Sequence, residues 1–146
     1  MIVIADSNIL ISGLYNPKGT ISKILKTKSK IQFLAPDYLF EEVEEHLSEI
    51  MLYTGKTKNY IQKELNELSA KISVINLESV SMENKRKSIE LTYDIDIDDA
   101  PFVSLHFHTG HKIWTGDKIL IKDLLDKGFD ICITTEELKK MLYKKE

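Results

Sequence analysis

Strand-like apolar runs alternate with helical hydrophobic periods from one end of this chain to the other, and no other feature narrows its fold as far. The β-branched run IVIA at 2–5 reads as a buried central strand. It stops at Asp6-Ser7-Asn8, three residues that favour helix N-caps, and Ile9, Leu10, Ile11 and Leu14 follow with helical spacing. Asn16-Pro17-Lys18-Gly19 reads as a turn, and 20–28 as a short helix with Ile21, Ile24 and Leu25 on one face. A second strand is expected at 31–35, then a helix opened by Pro36-Asp37 whose apolar stripe is Leu39, Val43, Leu47 and Ile50. Further helices are predicted at 57–70, 81–92 and 100–108, the last tolerating Pro101 in its first turn. Segment 72–77 is strand-like, 112–115 is a strand, and 118–127 is a helix closed by Gly128. Residues 130–133 form the last expected strand, and a helix runs from the Thr134 region toward Tyr143.

Such alternation predicts an α/β fold whose mostly parallel sheet is covered by helices on both faces. At 146 residues, with no repeat and no linker, one domain over 1–146 is expected. No apolar run approaches the ~20 residues of a membrane helix, and the start MIVIADSN does not read as a signal peptide, so a cytoplasmic protein is expected. The net charge of −3 gives no bulk attraction to nucleic acid. Lysines nevertheless crowd at 23–30, 56–63 and 139–145, and a lysine rim combined with divalent cations still permits polyanion binding. The single cysteine, Cys132, reads as a small buried core residue.

Four aspartates fall within six residues: Asp94, Asp96, Asp98 and Asp99. Close carboxylates repel and raise one another's pKa, and a bound cation removes that repulsion. In parallel sheets the functional crevice lies beyond the carboxyl ends of the strands. Asp6, after the first strand, and Asp117, after the strand ending IWT, fall there by position, and Asp99 at a helix start is placed to join them. Each strand-end aspartate would also serve as a helix N-cap. Convergent carboxylates suit hard cations such as Mg²⁺ or Mn²⁺. Lys118 and Lys112 are candidates for phosphate contact, and Ser7 and Asn8 for orienting water or phosphate at the helix start. His106 and His108 stand two apart on a helix, a spacing that does not share an ion.

The opening IVIADSNILISGL resembles the start of PIN-domain nucleases, whose first strand ends in Asp followed by Ser or Thr and often Asn. The segment DAPFVSL, a turn, and then IWTGDK resembles that family's third and fourth motifs. PDYLFEEVEEH at 36–46 is similar to the segment carrying its glutamate. The resemblance spans essentially the whole chain and implies a three-layer α/β/α sandwich with a Mg²⁺- or Mn²⁺-dependent endoribonuclease activity. It carries the family's acids over to Asp6, Glu42, Asp99 and Asp117, with Asn8 and Thr115 matching polar residues beside them. Glu42 is preferred to Glu41 because it borders the apolar stripe at Val43, and Asp96 is the reserve ligand, leaving Asp94 and Asp98 to solvent. Small stand-alone members are often toxins held by an antitoxin and often dimeric, so RNA, an antitoxin and a second copy are the implied partners. One departure stands out: many relatives carry a further acid where this chain has Lys118-Ile119-Leu120-Ile121.

Overall fold

The computed structural model describes residues 1–143, so Lys144 and Lys145 of the last lysine cluster lie outside the described residues. Five strands form one parallel sheet: β1 (Ile2–Ala5), β2 (Gln32–Pro36), β3 (Ile72–Ile75), β4 (Lys112–Trp114) and β5 (Cys132–Ile133). Their order is β3-β2-β1-β4-β5. The chain thus winds outward from β1 through β2 to β3, then crosses back to lay β4 on the free side of β1. The switch point falls between β1 and β4, where Ala5 pairs with Trp114. That is where an open parallel sheet leaves a crevice beyond its strand ends.

Helices α1 (Ser7–Tyr15), α2 (Thr20–Lys26), α3 (Tyr38–Glu45), α4 (Leu47–Thr54) and α5 (Lys58–Ser69) pack on one another as one layer. In the other layer α6 (Met82–Thr92) packs on α7 (Ala100–Thr109), which lies across β1, β2 and β4. Helices α8 (Lys118–Asp126) and α9 (Thr135–Leu142) follow β4 and β5. The result is an α/β/α sandwich. Between its layers, Val3, Ile4, Phe33, Ile113 and Trp114 from the sheet meet Leu10, Leu14, Leu39, Phe102, Val103, Leu105 and Leu124 from the helices. Trp114 is fully buried, and its indole N–H donates to the Thr135 hydroxyl at 3.0 Å. Burying an indole without such a partner would leave a costly unpaired donor.

Two boundaries differ from the sequence expectation. Pro36 ends β2 instead of opening a helix, because it pairs with Ile75 of β3 where the β1 pairing has already stopped at Ile4 and Leu34. A residue without an N–H loses no ladder bond there. The stripe from Leu39 to Ile50 is shared by two helices, since the chain breaks at His46. The His46 amide reaches the carbonyls of both Glu42 and Val43, and this tightened turn re-aims the chain into α4. Leu39, Val43 and Ile50 stay buried on both sides of the break.

Candidate active site

The crevice is assembled first by sheet register. The Asp6 amide donates to the Trp114 carbonyl at 3.0 Å, extending the β1–β4 ladder one residue past the strand. Beyond Trp114, Thr115 is fully buried and acts as a junction. Its hydroxyl donates to Asp6 Oδ2 at 2.7 Å and accepts from Asn8 Nδ2 and the Asp117 amide, both at 3.1 Å. Asn8 Oδ1 accepts from the Gly116 amide at 3.3 Å. The loops after β1 and β4 are therefore laced together, and Asp6 and Asp117 are held at the same end of adjacent strands.

Asp6 Oδ1 takes the Ser7 amide at 2.8 Å, and the Ser7 hydroxyl donates to Glu42 Oε1 at 3.1 Å, drawing α3 against the start of α1. Glu42 is half-buried and Glu41 exposed, so the glutamate beside Val43 is the one at the crevice. Asp117 caps α8: its Oδ1 accepts the amides of Ile119 and Leu120, each at 3.1 Å, and its other oxygen takes no part in the cap. Asp99 arrives from the opposite layer, at the end of a 3₁₀ turn over Ile97–Asp99 that runs into α7. It is 8% exposed, and its Oδ2 is buried with no hydrogen-bond partner among the described residues.

The electrostatics follow from that crowding. Burial pushes the Asp6 carboxyl up to about 6, and the charge of Asp117 adds to this, against the stabilising bonds from Thr115 and Ser7. Glu42 is pushed up to about 7, by burial and then by the charges of Asp6, Asp98 and Asp96, with the Ser7 hydroxyl pulling the other way. Asp99 goes furthest, to about 8: burial leads, and Asp6, Asp96, Asp117 and Glu42 all add repulsion. Among the described residues no hydrogen bond offsets it. Burial and the same acidic surroundings drive the Cys132 thiol up to about 12, which makes it the inert core residue its sequence context predicts.

A hard divalent cation fits this donor set, because four carboxylates offer oxygens, and one buried oxygen lacks any other partner. No three acidic, histidine or cysteine side chains among the described residues are already drawn into a cage. The two observations differ in range. Repulsion between charges acts over about 10 Å, whereas ligand oxygens must come within about 2.0–2.6 Å of an ion. Glu42 and Asp117 are turned onto Ser7 and onto the α8 amides, as like charges without a counter-ion would be.

Several residues take places that the sequence did not reveal. Asp94 is exposed, as expected, and pairs there with Lys127, which also donates to the Leu91 carbonyl at 2.9 Å. Asp98 is exposed too, and its Oδ1 accepts from the Tyr38 hydroxyl at 3.2 Å. Asp96 is exposed and uses Oδ1 to accept the Asp98 amide at 3.0 Å, which shapes the turn presenting Asp99. Ser7 and Asn8 spend their hydrogen bonds on Glu42, Thr115 and Gly116 and so position acids. Lys118 is exposed beside Asp117, while Lys112 lies at the amino end of β4, the far end from the crevice. His46 faces Glu49 at 3.6 Å, and the His106 ring meets the His111 carbonyl at 2.6 Å.

Fold and site together define a class: a doubly wound α/β domain with an acidic crevice at its switch point. Residues 4–142 match the PIN domain family, and the chain belongs to it; members of this family are generally nucleases. No curated protein matches the chain in sequence. No helix among the described residues is long and apolar enough to cross a membrane.

Proposed function

We propose that the protein is an endoribonuclease that hydrolyses RNA phosphodiester bonds with Mg²⁺ or Mn²⁺ held by Asp6, Glu42, Asp99 and Asp117. The observation that carries this reading is Asp99, a buried carboxyl with an oxygen unpartnered among the described residues, repelled by Asp6, Glu42 and Asp117 from three other elements. A fold keeps such a group against its desolvation cost when a ligand supplies the missing charge. Held by these residues, a divalent cation would supply positive charge that lets the carboxylates ionise together and would offset charge developing on a phosphate. Thr115 and the Ser7 amide orient Asp6, the Ser7 hydroxyl orients Glu42, and the α8 amides orient Asp117. Exposed Lys118 supplies a cation for the RNA backbone at the rim.

The reading is tested with purified protein, labelled single-stranded RNA and Mn²⁺. Cleavage is expected, and Asp6→Asn should reduce it by about 10²–10³-fold, since one ionised oxygen donor at the centre of the site is lost. A folded wild-type protein that leaves RNA intact in both Mg²⁺ and Mn²⁺ would sink the catalytic reading.

A second reading, an RNA- or protein-docking module that retains the acids, is favoured by Lys118–Ile121 standing where relatives carry another acid and by the open spacing of the carboxylates. Calorimetric titration separates the two, because a docking module binds no Mn²⁺ through Asp6 and Asp99. The nuclease reading extends to a toxin controlled by an antitoxin or paired with a second copy. Support comes from Leu52 on α4, a large apolar side chain left 88% exposed. Light scattering of the purified chain reads the dimer directly.

A further inference from the structure

The four acids are not positioned by equal means. Asp6 and Asp117 follow neighbouring strands, so sheet register sets their separation. Glu42 and Asp99 stand on helical elements from the two opposite layers, and no strand pairing relates them. Yet both must close on one ion if the proposed site is to work. Something else has to hold α3 against the turn before α7.

One side-chain hydrogen bond among the described residues joins those two segments: the Tyr38 hydroxyl to Asp98 Oδ1, at 3.2 Å across 60 positions of sequence. Its two ends are well placed. Tyr38 opens α3 one turn before Glu42, so the two side chains share a helix face. Asp98 immediately precedes Asp99 in the 3₁₀ turn, whose shape is kept by the Asp96 carboxylate and the Asp98 amide. The base of α3 is anchored separately, by Asp37 Oδ1 accepting the Leu77 amide at 3.2 Å. The tyrosine ring is half-buried, which leaves its hydroxyl a restricted reach.

We propose that Tyr38 is a positioning residue for the metal site, its hydroxyl latching Asp98 so that Glu42 and Asp99 are held within closing distance of one cation. Tyr38 touches no reacting atom. It acts by spending beforehand the ordering that the cation would otherwise impose on α3 and the Asp99 turn. Asp98 repels Glu42 in this arrangement, so the latch holds the two segments together against that repulsion. This rests on the nuclease reading above, and the two fail in different ways.

The test is calorimetric titration of Mn²⁺ into the full chain and a set of variants, with melting temperatures taken in EDTA alongside. Tyr38→Phe keeps the ring and removes the donor. It should weaken Mn²⁺ binding about two- to tenfold, the span of one hydrogen bond's net worth. Asp98→Asn and Asp98→Ala remove the same charge, but only asparagine keeps an acceptor for the tyrosine. Asn should therefore bind Mn²⁺ more tightly than Ala by a similar factor, and that difference should vanish when Tyr38→Phe is added. Cleavage by Tyr38→Phe should fall at limiting Mn²⁺ and recover at saturation. A merely structural tyrosine would lower the melting temperature and leave the Mn²⁺ isotherm alone, which overturns the proposal. So does an Asn–Ala difference that survives in the Tyr38→Phe background. A wild-type protein that binds no Mn²⁺ overturns the nuclease reading and the latch with it.

Discussion

At the scale of single residues, Asp99 costs the metal-free fold most clearly. Its carboxyl ionises near pH 4 in an unfolded chain but only at about 8 in the folded one. Above pH 4 folding must therefore either bind a proton or bury a charge beside four others. Asp99→Asn keeps the shape and removes the conflict. The variant should melt higher than wild type in EDTA at pH 8, by about 1–2 kcal/mol or roughly 3–8 °C, and the gain should disappear at pH 4. Mn²⁺ binding should disappear with it. Equal melting temperatures at both pH values would show that Asp99 carries no such burden. The sequence made this residue findable only in part. Asp99 stood out among four aspartates because an apolar helix start follows it, but its orphaned oxygen depends on packing from the opposite layer. The partners of Asp94 and Asp98, Lys127 and Tyr38, lie 33 and 60 positions away and carry no local signal.

At the scale of elements, the strand ends were legible because a β-branched run that halts at Asp leaves little choice about where that carboxyl points. Asp117 has two roles to reconcile, capping α8 through Oδ1 and, in the proposed function, holding a cation with the oxygen that the cap leaves free. The two roles separate by substitution. Asp117→Asn keeps an acceptor for the Ile119 and Leu120 amides, so its stability should stay near wild type. Asp117→Ala loses the cap and should be less stable by about 1 kcal/mol. Both should lose Mn²⁺-dependent cleavage. If Asn is as unstable as Ala in urea melts, the cap is not what Asp117 contributes. Less legible were boundaries decided by tertiary context. Periodicity runs unbroken through His46 because the same face stays buried on both sides of the break, and nothing local distinguishes two short helices from one. Pro36 reads as a helix opener until the β1–β2 pairing is known to stop at Leu34, two residues before it, so that no ladder bond needs the missing N–H.

At the scale of the whole molecule, the order β3-β2-β1-β4-β5 brings residues more than a hundred positions apart to one crevice, and it also collects their charge there. Asp6, Glu42 and Asp99 all ionise later in the folded chain than in the unfolded one, at about 6, 7 and 8. The native state thus binds more protons than the unfolded state throughout the range from about pH 4 to pH 8. With more protons on the native side, stability falls as pH rises, because the slope follows protons bound unfolded minus protons bound native. In EDTA the melting temperature should therefore decline between pH 5 and pH 8, and Asp99→Asn should flatten the decline. A divalent cation competes with those protons for the same oxygens, so its contribution must run the other way. Mn²⁺ at a hundred times its dissociation constant adds about 2.7 kcal/mol where the carboxylates are ionised, and less as protons displace it. The gap between melting curves with Mn²⁺ and with EDTA should therefore open from pH 5 to pH 8. A gap that stays constant with pH would mean that Mn²⁺ binds elsewhere, on groups that do not titrate in this range.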